Sequence, residues 1–268
     1  MTSQRLIRSL VTACKRKDGK MILTSFTTEQ LVDRWEARRR IQNIMGIFSQ
    51  HILLKMDRDL FSDLWSTRED VCLGVNEGYY VGAAAVRGYF EARHQKTLLI
   101  NRVLRKIFPD KVAGKTEAET YGIGTINYFP LDTPVIEIAV DGETAKGIWA
   151  LRNTYSDVTP GGPEAYWQWG WVTVDFIRED GDYRIWHLNL LNDVHVRAGQ
   201  KLHEAYTAYP ALPEFSELAG FQMPEPTVRM EVRPQYTVNR PFTQPPRVPE
   251  AYDTFENTFS YGYERSDA

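Results

Sequence analysis

Residues 134–155 read Pro-Val-Ile-Glu-Ile-Ala-Val-Asp-Gly-Glu-Thr-Ala-Lys-Gly-Ile-Trp-Ala-Leu-Arg-Asn-Thr-Tyr. Pro134–Val140 has the composition of a strand, Asp141-Gly142 is a tight-turn signal, and Ala145–Tyr155 returns antiparallel. Downstream, Ser156–Ala165 holds Pro160, Gly161, Gly162 and Pro163 and reads as a loop. Tyr166–Ile177 is the next strand, and Glu179-Asp-Gly-Asp182 turns it into Tyr183–Val194. The period of this half of the chain is that of a sheet.

Upstream the period is helical. Thr27-Thr-Glu-Gln30 has capping-box spacing, a hydroxyl followed three residues later by an amide that returns a hydrogen bond. Leu31, Trp35, Ile41, Ile44, Met45, Phe48 and Ile52 then recur mostly three and four apart, as one face of a long helix. Arg58–Leu64 predicts a second helix, Val71–Val75 a short strand, and Gly82 opens a third helix that buries Val86, Tyr89 and Phe90. A separate amphipathic basic stretch, Leu98–Lys106, reads as a solvated face. Three helices followed by antiparallel strands make an α+β fold, a cone-shaped curved sheet packed on three N-terminal helices.

The ends differ from this middle. Residues 1–26 read as a loose extension, with Met21 a second possible start. Nine of the fourteen prolines fall between Pro210 and Pro249, which argues against regular structure there. Phe215, Phe221, Tyr236, Phe242, Tyr252, Phe255, Phe259 and Tyr261 nevertheless stud the same tail, whereas disordered linkers are poor in aromatics. Residues 197–268 therefore read as an extended arm that docks on its own cone (27–196) or on a neighbour. The sequence favours exchange within a homo-oligomer, a trimer or dimer.

Composition excludes several classes. With 32 basic and 35 acidic residues the net charge is −3, no general attraction for nucleic acid or anionic membrane. No apolar run approaches a membrane span. Cys14 and Cys72 are the only cysteines, which suits a reduced, cytoplasmic setting and offers no zinc cluster. No phosphate loop, nucleotide fingerprint or metal-ligand spacing is present, so neither metal nor cofactor is expected.

Ile41-Gln-Asn-Ile-Met-Gly46, Gly78-Tyr-Tyr-Val-Gly82, Thr133-Pro-Val-Ile-Glu137, Thr144-Ala-Lys-Gly147 and Trp186-His-Leu188 occur in an order that resembles the SnoaL-like (polyketide-cyclase-like) branch of the nuclear transport factor 2-like superfamily. The resemblance covers about Thr27–Val194 and leaves the arm and an insertion, Thr97–Ile123, outside. Its members include dehydratases, ketosteroid isomerase, a cofactorless lyase and binding domains without catalysis. It implies a cone with one small-molecule pocket, but the fold alone does not decide the chemistry. The position of the dehydratase histidine is Phe129 here, and that of the acid on the next strand is Asn153. The aspartate of helix one is matched by Asp57 at the junction with helix two.

With that dyad missing, the expected bases are His51, near the edge of the buried face of helix one, and His187, which alternates with Asn189 on the last strand. Both also have a structural reading, as satisfied histidines. His94, His195 and His203 read as structural or exposed. Trp167, Trp169 and Trp171 share a face, with Trp149 on the neighbouring strand. Together with Tyr128 and Phe129 they suit an aromatic or polycyclic guest. Asn127, Asn153 and Asn189 are candidate orienting amides, and Arg152 and Tyr155 candidate oxygen binders at the mouth. The sequence thus favours a cofactor-independent lyase, by water elimination or carbon–carbon cleavage beside a hydroxyl. A ligand-binding or assembly module and a ketosteroid-type isomerase are the alternatives.

Overall fold

The computed structural model describes residues 11–17, 20–159, 162–202, 220–230, 236 and 246–263. An antiparallel hairpin comes first, β1 (Val11–Lys17) and β2 (Lys20–Phe26), paired from Val11↔Phe26 to Lys17↔Lys20. The loose extension expected over residues 1–26 is corrected to a two-stranded sheet over its described part.

Thr27 caps α1 (Thr28–Leu53) as its spacing predicts: Gln30 N donates to Thr27 Oγ1 (3.2 Å) and Thr27 N donates to Gln30 Oε1 (2.9 Å). The helix buries Ala37, Ile41, Met45, Phe48 and Ile52. Trp35, expected on that face, is 69% exposed, because it sits two residues before Ala37 and so points away from the stripe. Arg34 instead reaches the sheet, donating to the carbonyls of Ile138 and Ala139 (both 2.7 Å). α2 (Asp57–Leu64) follows, then β3 (Cys72–Val75) and β4 (Gly78–Val81). α3 is one continuous helix, Ala83–Ile107. The basic stretch Leu98–Lys106, expected as a separate helix, forms its last turns, and Val103 and Leu104 pack there with Ile100, Ile107, Phe108 and Ile123. A single turn, α4 (Pro109–Val112), ends the helical half.

Five strands follow: β5 (Asn127–Tyr128), β6 (Leu131–Ile138), β7 (Thr144–Thr159), β8 (Gly162–Glu179) and β9 (Asp182–Arg197). A two-residue strand of the arm, β10 (Val228–Arg229), completes the sheet. The order is β10-β4-β3-β9-β8-β7-β5, with β6 also on β7. All pairs are antiparallel except β3 with β9. The loop expected over Ser156–Ala165 is largely strand, since the ladder runs on from Ser156↔Ala165 to Thr159↔Gly162. Register shifts at Trp169/Gly170 and Asp175/Phe176 bend β8 against β9 and curve the sheet. At the first of these, a Cβ on Gly170 would stand 1.9 Å from the Leu191 carbonyl oxygen, so no other residue fits without moving the partner strand.

Strand alternation gives this sheet two faces. Trp149, Leu151, Val172, Val174, Phe176, Ile185 and Leu188 join the helices in the main core. The opposite, outer face carries Lys146, Thr173, Asp175, His187 and Asn189, all buried. What buries them is the arm. Tyr261 N donates to Asp175 Oδ2 (2.7 Å), Asn189 Nδ2 donates to the Tyr261 carbonyl (2.6 Å), and Val140 N donates to the Tyr252 carbonyl (2.9 Å). Lys146 pairs with Asp175 (2.9 Å) and lies over the Phe255 ring, 3.9 Å from its centroid, with Tyr252, Phe259 and Tyr261 close by. The described arm therefore docks on its own cone. Phe215 and Phe242, two of its expected anchors, lie outside the described residues, as does His203.

Candidate functional site

Between the helices and the inner face of the sheet lies a cavity of about 640 Å³. α1 and α2 contribute Ile52 and Asp57, α3 contributes Tyr89, Arg93, Thr97, Ile100, Asn101 and Leu104, and the sheet contributes Asn127, Asn153, Tyr155, Gln168, Leu190 and Asn192. The insertion, expected outside the common core, helps to wall it through Ile100, Asn101, Leu104 and Gly122. The arm segment from Phe221 to Met230 closes one side. It is held where Tyr80 Oη donates to the Pro224 carbonyl (2.7 Å) and Met230 N donates to the Glu77 carbonyl (3.1 Å).

The polar half of the cavity is built by register. Asn127 on β5 stands opposite Tyr155 on β7, Asn153 lies two residues along the same face, and Gln168 on β8 stands opposite Asn153. His195 on β9 stands opposite Gln168. Asn153 Nδ2 donates to Gln168 Oε1 (2.7 Å). Tyr155 Oη and His195 Nε2 are 2.6 Å apart, and the two rings stack within 19° beside Tyr166. His195 is wholly buried, so the reading of it as exposed is corrected: β9 runs three residues past Val194 and carries the histidine back under the sheet.

On the helical side Arg93 Nε donates to Asp57 Oδ1 (2.7 Å), with Asp57 3% exposed. Burial alone would lower the Arg93 guanidinium, but attraction to Asp57 and Tyr89 outweighs it and holds the cation firmly charged. Burial raises the Tyr89 phenol and keeps it a neutral donor, with Arg93 partly opposing the shift. Burial also lifts the Glu77 carboxyl above its ordinary 4.5. The wall thus holds a fixed cation, a carboxyl inclined to keep its proton, and a phenol bonded to an imidazole.

Of the residues singled out from sequence, the structure brings Asp57, Asn127, Phe129, Asn153 and Tyr155 to this cavity. It does not bring the others. His51, half-buried in the last turn of α1, is not among the lining residues. His187 and Asn189 lie under the arm on the outer face, where His187 Nδ1 meets Asp175 Oδ2 at 2.8 Å. Trp149 is core, 3% exposed. Trp169 stacks on Trp167 on the outer face, both more than a third exposed, with Tyr128 and Arg152 on that face too. Arg152 is bonded there to Asp132 (2.6 Å). Alternation kept Trp167 with Trp169 and His187 with Asn189 but could not say which group faces inward, and Trp149, grouped with the first pair, lies on the other face.

His195, Glu77, Arg93, Gln168 and Asn101 were not anticipated. A signal existed for His195, because Asp193-Val-His-Val-Arg197 continues the apolar–polar alternation of a strand. Among the described residues, no three His, Cys, Asp or Glu side chains gather as metal ligands, and no helix is long and apolar enough to cross a membrane.

The model of the SnoaL-like domain matches residues 33–189, more than half of the chain. The chain belongs to the SnoaL-like domain family. That membership accounts for the helical layer and curved sheet, while the closing arm lies beyond the matched residues. Solved structures of similar fold include a scytalone dehydratase candidate from Novosphingobium aromaticivorans, 13% identical, covering 64% of this chain and 94% of that one at a TM-score of 0.44. The type 3 LinA hexachlorocyclohexane dehydrochlorinase of Novosphingobium barchaimii is 17% identical over 63% and 95% of the two chains, at 0.42. An NTF2-like protein with a cystatin-like fold, also from N. aromaticivorans, is 14% identical over 61% and 86%, at 0.38. No curated protein matches this SnoaL-like chain in sequence.

Proposed function

We propose that the cavity is the active site of a cofactor-independent lyase acting on an aromatic or polycyclic small molecule. The observation that carries this reading is the 2.6 Å contact between Tyr155 Oη, at the cavity wall, and the buried His195 Nε2. A phenol that can pass its proton to an imidazole becomes a base without any cofactor. In this scheme Tyr155 takes a proton from the substrate carbon while its own proton moves to His195 Nε2. The electron pair of the broken C–H bond forms the new double bond, and the hydroxyl on the neighbouring carbon departs with a proton from Glu77, as water. Arg93, kept cationic by Asp57, and Tyr89 face the same space and suit an oxygen that gains negative charge. Phe129, Ile100, Leu104 and Leu190 supply the apolar wall for a ring.

His51 and His187, the bases expected from sequence, do not line this space, which moves the assignment to Tyr155 and His195. Elimination is also the reaction named for the scytalone dehydratase candidate and the LinA dehydrochlorinase of similar fold. The experiment is a turnover screen of hydroxylated aromatic compounds in deuterated water, followed by mass spectrometry. Tyr155→Phe and His195→Gln should each lower the rate roughly 10²–10⁴-fold. Wild-type rates in both variants would sink the assignment. Binding without turnover or deuterium exchange across the panel would sink the lyase reading itself.

A further inference from the structure

Two amides face the cavity from opposite walls with an oxygen that no described group satisfies. Asn101, on α3, is 1% exposed, and its Nδ2 donates to the Glu117 carbonyl (3.2 Å). A backbone carbonyl only accepts, so the amide cannot be turned round, and Oδ1 has no hydrogen-bond partner among the described residues. Asn153, on β7, is 4% exposed, its Nδ2 is engaged by Gln168 Oε1, and its Oδ1 likewise has no partner. Both residues line the cavity. A buried acceptor left unpaired is costly, and a roomy polar cavity lends it water. A ligand that displaces the water must bring donors of its own or lose affinity.

We infer that the ligand of this cavity carries two separated hydroxyl or N–H groups, one donated to Asn101 and one to Asn153, and that these asparagines set specificity. This rests on reading the cavity as the ligand site. It goes beyond an aromatic guest, because an apolar or fully etherified ring system would fill the same volume and leave both oxygens bare. It also gives the insertion a purpose, since Asn101 comes from the part of α3 that lies inside it.

The test is ¹⁹F-reporter competition NMR on the full chain with matched pairs of bis-phenols and their dimethyl ethers, 4,4′-dihydroxybenzophenone and 4,4′-dimethoxybenzophenone among them. The bis-phenols should bind roughly tenfold to a hundredfold more tightly than the ethers. Asn101→Leu and Asn153→Leu should each erase most of that preference, whereas Asn153→Asp, which keeps the acceptor, should retain it. Melting temperatures and circular dichroism check that each variant folds. Should Asn101→Leu not fold, Asn153→Leu against Asn153→Asp decides alone. Ethers that bind as tightly as phenols, or a preference that survives both leucine variants, would overturn the inference. Turnover of an ether at the phenol's rate would also overturn it, while leaving the lyase reading standing. Binding by neither series would end both.

Discussion

Single residues show most plainly what a chain reveals of itself. His187 and Asn189 were legible as a polar pair on one side of a strand, and the structure keeps them together. The side was illegible, because a period of two fixes which residues share a face but not which face is covered by helices and which by an arm. Glu77 carried no signal at all, since its chemistry comes from burial under Met230 and the arm rather than from its neighbours in sequence. Its raised carboxyl predicts a pH effect of definite sign. Below its ordinary pKa of 4.5 both folded and unfolded chains hold the proton, and Glu77 contributes no difference. Above that value the unfolded chain releases the proton first, so stability falls as pH rises through the raised folded value. Glu77→Gln should therefore raise the melting temperature over wild type at pH 7–8, with the gap closing toward pH 4. A gap that does not depend on pH would show that burial does not raise this carboxyl. Cys72 gives a second check at this scale. Its thiol is 2% exposed and burial pushes it up to about 11. In a Cys14→Ser background a thiol reagent at pH 8 should label it no faster than the protein unfolds, because only the thiolate reacts.

Elements were more legible than residues. The capping box, the hairpin at Asp141-Gly142 and the turn at Glu179–Asp182 are local chemistry, and each stands where the residues put it. Boundaries were not local. β7 and β8 run through a Pro- and Gly-rich stretch because their ladder continues to Thr159↔Gly162, and α3 absorbs the basic segment because Val103 and Leu104 find a second small core. The outer face of β7, β8 and β9 carries the most consequential grouping at this scale. Lys146 and Asp175 are both fully buried and paired, with His187, Ser260 and the Tyr261 backbone completing the carboxylate's partners. Removing one member of such a pair strands the other, at a cost of about 3–5 kcal/mol. Asp175→Asn should destabilise by that order in urea denaturation. Adding Lys146→Met should recover part of the loss, since no buried cation then remains. Strict additivity of the two changes would mean the pair is not coupled. Gly262 belongs to the same contact: a Cβ there would stand 2.8 Å from the His187 ring, so the arm can lie this close only with glycine at that position.

At the scale of the whole molecule the arm serves two places at once. Residues 221–230 wall the cavity and add a strand beside β4, while residues 252–262 cover the charged outer face. Both contacts are with the arm's own cone, and we propose that the arm closes the cavity of its own subunit. Tyr252 and Tyr261, 1% and 6% exposed, would each return a large ring to water if the arm left, roughly 1.5–3 kcal/mol apiece. Truncation after Ala208 should therefore lower the melting temperature and raise both the association and dissociation rates of a cavity ligand. The mass measured by light scattering should remain the same multiple of the chain. Tyr80→Phe, which removes only the bond to the Pro224 carbonyl, should raise the same two rates by a smaller factor with little loss of stability, separating the closing segment from the anchor. Dissociation of an oligomer on truncation would restore the exchanged arm, and unchanged ligand rates in both variants would show that residues 221–230 do not gate the cavity.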